Sequence, residues 1–162
     1  SDVCSSDLGI EAASVVVVTL VVRAADAPDL AATGSSGFLV PPVEGRRIKA
    51  STFSFAKWDW VREAGRAAGE AGEDLLVLRT SLGRHGEEHV ATASDEELVR
   101  ESLLDLAQAI GLRAHPVDVH VQRWPHGLPQ YAVGHLERVE RIREALHRVP
   151  RLAVAEIGRA HV

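Results

Sequence analysis

The chain has 162 residues, enough for one hydrophobic core and therefore one domain or part of one. Its net charge of -5 leaves no basic footprint for nucleic acid. No apolar run reaches the roughly 18 residues of a membrane-spanning helix, and lysine, at Lys49 and Lys57 only, gives way to arginine, as in a GC-rich genome.

The two ends are set aside first. Asp2 to Leu8 reads DVCSSDL and Glu156 to Val162 reads EIGRAHV, and the genetic code allows opposite strands of one DNA segment to encode both. Asp2 pairs with Val162 in this way, Val3 with His161, and so on through Leu8 with Glu156. Both ends look like a translated sequencing adapter, which leaves residues 9–155 as the biological chain. The single cysteine, Cys4, falls in that segment, so no disulfide or thiol chemistry is read from it.

From Ile10 to Arg23 the valine-rich run predicts a long, mostly buried strand, because β-branched crowding disfavours a helix. Ala24 to Gly37 reads as loop. Its GSSG stretch lacks the Lys and following helix of a phosphate-binding loop. A short strand over Phe38 to Val40, a turn at Pro41 to Gly45 and a strand over Arg46 to Phe55 form a hairpin-like pair, with Ile48, Ala50 and Thr52 on one side. Lys57 beside Trp58 is the pairing that marks an anionic ligand in some sites, and more often it is an exposed cation beside a half-buried ring.

Asp59 to Gly72 reads as loop with a turn or two of helix. Asp74 to Gly83 is a strand, and Arg84 to Thr92 a loop. His85 and His89 stand at a zinc-like spacing, but no carboxylate or cysteine partner sits at ligand distance in sequence, and no metal site is read. Ser94 to Ile110 is the clearest helix. Ser94 with Glu97 forms a capping box, Asp95 and Glu96 suit the positive N-terminus, and Val99, Leu103, Leu106 and Ile110 form the buried stripe. Gly111 stops it.

A strand alternating from Val117 ends at Trp124, after which Pro125, Gly127 and Pro129 break it. From Gly134 a helix carries Leu136, Val139, Ile142, Leu146 and Val149 on one stripe, and its charges alternate as on a solvated face. Leu152 to Ala155 begins a last strand. Read from the residues alone, Trp124 caps a core and Gln130 bonds a loop carbonyl.

Five segments, in order, resemble one family. SVVVVTLVVR is similar to its first strand, GFLVPPVEGRRIKASTFSFAKW to its hairpin, and DLLVLRTSLG to its LLRVSLGR strand; SDEELVRESLLDLAQAIGL and RW followed by LPQYAVGHLERV complete the set. The chain thereby resembles the C-terminal part of the FAD-dependent protoporphyrinogen and coproporphyrinogen oxidases, within the wider flavin amine oxidase group. The resemblance implies an α+β fragment of a two-domain oxidoreductase. Residues 9–115 would form the mixed or antiparallel substrate-domain sheet and a helix, and residues 116–155 would return to the FAD domain.

It also implies roles. Trp124 matches a tryptophan bordering the flavin, Leu39 and Ser81 match positions lining the porphyrinogen cavity, and Ser36 matches a more variable cavity position. Gln130 and Tyr131 brace the turn; His115, His120 and His126 are outside the family pattern, and no catalytic side chain is named. The implied cofactor is FAD and the implied partners are a porphyrinogen and O2, with no nucleic acid. The parent would oxidise coproporphyrinogen III, or protoporphyrinogen IX, in haem biosynthesis. It would be cytoplasmic, with association at the membrane surface or with haem-pathway enzymes left open. The FAD fingerprint belongs upstream, so this piece alone is expected to be inactive. Two other readings stand beside it: another flavin amine oxidase, and a cofactor-free α+β binding module.

Overall fold

The computed structural model of the chain describes residues 11–69 and 72–152. The adapter-like ends, Cys4 and most of the expected last strand lie outside the described residues. Two compact units are present, Ala12–Pro129 and a second that, among the described residues, comprises Glu11 and residues 130–152.

In the first unit, β1 (Ala12–Arg23) is followed by a 3-10 turn and the one-turn helix α1 (Pro28–Ala31). Then come β2 (Gly37–Leu39), a second 3-10 turn, β3 (Ile48–Thr52), the short helix α2 (Ser54–Lys57) and helix α3 (Asp59–Ala68). Strand β4 (Leu75–Leu82), a 3-10 turn over Glu88–Thr92, helix α4 (Asp95–Ile110) and strand β5 (Asp118–Pro129) complete it. The strands form one five-stranded antiparallel sheet in the order β2-β3-β4-β1-β5, so the fold is α+β.

Alternation along β1 and β4 sorts the sheet into two faces. Val16, Val18, Leu20 and Val22 on β1, with Leu76, Leu78 and Leu82 on β4, are buried on one of them. Leu98 and Leu106 of α4 close that face, together with Ile48, Phe53 and Leu112. The valine-rich strand forms because β-branched side chains fit a pleated, packed surface. The helix is held where it is by two polar contacts within the core. Thr80 Oγ1 and Ser102 Oγ lie 2.8 Å apart, and the Ile48 N–H donates to Asp105 Oδ2 at 2.9 Å.

Those polar contacts correct the expected helix stripe. Leu98, Ser102, Asp105 and Leu106 are the buried positions of α4, whereas Val99 and Leu103 only flank the core and Ile110 is 36% exposed. A polar residue with a partner can occupy a core face, and a stripe chosen by hydrophobicity alone is then rotated. The cap is as expected, with the Glu97 N–H donating to Ser94 Oγ and Gly111 in the left-handed region.

Three further expectations change. Ile48 does not share a side with Ala50 and Thr52, because a register irregularity sets Ile48 opposite Leu82 and Ala50 opposite Ser81. The stretch after Trp58 is a ten-residue helix, not mainly loop. Only Val61 and Gly65 of it are buried, one helical turn apart, too few to register as a stripe. A β-carbon at Gly65 would lie 2.2 Å from the Leu75 carbonyl oxygen, so only glycine allows α3 this close to β4. Finally, β5 does not break at Pro125; it continues to Pro129. It is an edge strand, where a proline's missing N–H interrupts no second ladder.

In the second unit the Gln130 N–H donates to the Glu11 carbonyl at 2.8 Å, and helix α5 spans His135–His147. The Tyr131 ring stacks on His135 with centroids 4.3 Å apart. The α5 stripe is present but uncovered: Leu136 is 79% exposed and α5 has no buried residue.

Candidate functional site

The face of the sheet opposite α4 is the candidate site. Cross-strand partners point to the same side of a sheet, so the registers define a continuous row. Leu39 pairs with Ala50, Ala50 with Ser81, Ser81 with Val17, and Val17 with Gln122. Trp124, two residues beyond Gln122 and opposite Val15, stands on the same side. Leu39, Ser81 and Trp124, residues from three different strands, are thus brought onto one face. Leu39 and Trp124 are largely exposed there and Ser81 is half-buried. Ser36 lies just before β2, outside the row; its carbonyl accepts the Phe53 N–H at 2.9 Å.

The neighbours of this row are polar. Thr52 pairs with Arg79, Arg79 with Thr19, and Thr19 with His120. Gln122, His120 and Arg79 are therefore additions to the expected set. Strand alternation counted outward from Trp124 marks Gln122 and His120, but only the register between strands adds Arg79.

The position of Trp124 is set by an irregularity in β5. Five residues, from Trp124 to Leu128, stand opposite the three from Val15 to Ala13. His126 takes φ 51°, a left-handed conformation, and its N–H donates to the buried Ser14 Oγ at 3.1 Å. A β-carbon at Gly127 would lie 2.9 Å from Trp124 Cβ, so glycine keeps the space beside the indole free. Arg123 points the other way, to the Ala93 carbonyl at 2.7 Å and to Asp95 at 2.6 Å. The result is an exposed indole on the side of the strand away from the Arg123 guanidinium. That arrangement fits the flat ring system of a flavin. It does not fit a pyrophosphate, which needs backbone N–H groups at a helix N-terminus or a cationic cradle.

At one end of the face α3 leans over β4. Arg62 pairs with Asp74 and fixes the helix to the start of the strand. Between them lies a cleft of about 550 Å3, walled by Val61, Gly65, Leu75 and Val77 and bordered by Trp58 and Arg79. Elsewhere, Lys49 Nζ donates to the Gly83 carbonyl at 2.7 Å, and its pKa is lowered by burial and then by Arg84, against the opposing effect of Glu87. That lysine ties β3 to the residue that follows β4. His89 Nε2 lies 3.0 Å from Arg47 Nη2, a contact between surface side chains.

A model of the flavin-containing amine oxidoreductase family matches residues 8–156. The chain belongs to that family. The chain is 41% identical over 120 residues to the coproporphyrinogen III oxidase of Mycobacterium tuberculosis strain H37Rv, covering 74% of this chain and 24% of that protein. It is 38% identical over 146 residues to the protein of the same name from Mycobacterium leprae, covering 90% of this chain and 28% of that one. Among solved structures, it superimposes on a candidate protoporphyrinogen oxidase from Exiguobacterium sp. 255-15 with TM-score 0.66 and 31% identity, over 87% of this chain and 29% of that one. The chain therefore spans about a quarter of the length of these relatives. The family's description implies a flavin cofactor. No helix among the described residues is long and apolar enough to cross a membrane.

Proposed function

We propose that this chain is the substrate-binding part of an FAD-dependent oxidase that converts coproporphyrinogen III to coproporphyrin III, with O2 as the electron acceptor. The observation that carries the reading is the convergence of Leu39, Ser81 and Trp124 on one open sheet face. A broad face with apolar and small residues suits a large, mostly apolar macrocycle. The names of the mycobacterial relatives favour coproporphyrinogen over protoporphyrinogen.

A bound flavin would supply the hydride acceptor for the methylene bridges of the porphyrinogen, each hydride loss being matched by loss of a proton and the electrons passing on to O2 as hydrogen peroxide. The chain's own residues bind and orient. Trp124 borders the flavin ring, Leu39 and Ser81 floor the macrocycle, and Ser36 sits at its periphery. No side chain is assigned as an acid or base. In this reading residues 9–115 belong to the substrate domain, and residues 116–155 carry the chain through β5 toward the FAD domain. The protein is cytoplasmic, with any membrane contact peripheral.

Sequencing the genomic locus outward from residues 37–150 tests the reading. The expected frame runs upstream to a glycine-rich FAD fingerprint and downstream past Ala155 into a glycine-rich turn, and its product purifies with FAD. A locus encoding DVCSSDL and EIGRAHV as written, between its own start and stop codons, would overturn it and leave a cofactor-free module.

A further inference from the structure

The cleft beneath α3 opens onto the same face as the row through Ser81, and its charge pattern is unusual. The Trp58 ring has two cations against it: Arg79 Cζ lies 5.3 Å and Lys57 Nζ 4.9 Å from its centroid. Among the described residues neither cation has an acidic partner. Asp118 also borders the cleft, but its Oδ1 accepts the N–H of Val119 at 2.8 Å and forms no ion pair. Arg79 is half-buried, so its charge sits where a counter-ion counts for more than at an open surface.

A second observation is independent of these charges. Ser54 is 3% exposed and lines the cleft, and among the described residues its Oγ has no hydrogen-bond partner. Buried hydroxyls are nearly always satisfied, so this one marks a place for an acceptor. The cleft therefore offers apolar walls, an unused hydroxyl donor and one cation without an acidic partner, Arg79, at its border, with Lys57 against the Trp58 ring outside the lining.

We infer that Arg79, held by Trp58, anchors a carboxylate arm of the substrate at the mouth of this cleft, with Lys57 adding charge. The inference rests on the proposed porphyrinogen reading, in which the substrate is an apolar macrocycle carrying propionate arms. Stacking uses the face of a guanidinium and leaves its edge N–H groups free for a bidentate carboxylate. Arg79 stands two residues from Ser81 on β4, about 7 Å along the strand. A macrocycle lying over Leu39, Ser81 and Trp124 reaches it with a side arm.

The test uses the flavin-loaded full-length protein and two stable probes, coproporphyrin III and its tetramethyl ester, with dissociation constants read from fluorescence quenching. Arg79→Gln weakens coproporphyrin III about tenfold, as loss of one charge-assisted contact does, and leaves the ester unchanged. Arg79→Lys restores part of the affinity, and carbodiimide couples the porphyrin to position 79, read by mass spectrometry. That coupling decides the matter if Arg79→Gln does not fold. Equal dissociation constants for wild type and Arg79→Gln, an equal loss for acid and ester, or no coupling at position 79 overturns the inference. A wild-type protein that binds neither probe instead overturns the porphyrinogen reading beneath it.

Discussion

Removing the indole at Trp124 is the substitution that most directly probes the proposed contact with the flavin. In the structure this residue is 55% exposed, and its position is set by the turn from Trp124 to Gly127 rather than by burial. With an aromatic side chain burying up to roughly 250 Å2, about 140 Å2 of Trp124 is left for a partner to cover. At about 25 cal/mol per Å2 this area is worth at most about 3.5 kcal/mol, or about half that if only one ring face is covered. Trp124→Ala in the full-length protein should therefore weaken flavin binding between about twentyfold and about three-hundredfold. Trp124→Phe should recover much of the loss. The assay is a flavin titration of the apoprotein by absorbance, with His89→Ala, a surface residue beside Arg47 and outside the site, as the control. An unchanged flavin spectrum and affinity in Trp124→Ala would refute the assignment.

Two predictions concern the scaffold. Asp105→Ala leaves the buried Ile48 N–H without its acceptor and should destabilise the fold by about 1–3 kcal/mol in urea unfolding, whereas Asp105→Asn, which keeps an acceptor oxygen, should cost less. Equal stability of Asp105→Ala and wild type would mean that the carboxylate does not hold the β3 irregularity. Gly65→Ala drives a β-carbon into the Leu75 carbonyl, so α3 must shift; a cost of about 1–3 kcal/mol is expected, along with altered fluorescence from Trp58 and Trp60. An unperturbed melting curve and emission spectrum would show that the contact yields freely.

Much of this fold is legible in the residues. β1 and β4 follow from valine-rich and alternating runs, and the start and end of α4 follow from Ser94, Glu97 and Gly111. What escapes a reading by hydrophobicity has physical causes. The helix α3 buries only Val61 and Gly65, and the buried face of α4 includes Ser102 and Asp105, whose partners lie in other strands. The continuation of β5 through Pro125 and Pro129 depends on its place at the sheet edge, a fact of topology.

The candidate site divides in the same way. Leu39, Ser81 and Trp124 were named by resemblance to a family, but their common face comes from the registers of five strands. Lys57 beside Trp58 is visible in the sequence as a pair. That Arg79 approaches the same ring from β4, beside a buried and unpartnered Ser54, depends on contacts between residues far apart in the chain.

The central claim is that this sheet face serves the oxidation of a porphyrinogen, and turnover tests it most directly. The full-length protein, loaded with FAD, is mixed with coproporphyrinogen III in air, and porphyrin fluorescence and oxygen uptake are recorded together against a protein-free control. The account predicts coproporphyrin III formation well above the spontaneous rate, with oxygen consumed in step. Fluorescence rising no faster than in the control, from protein that retains its flavin, would contradict it.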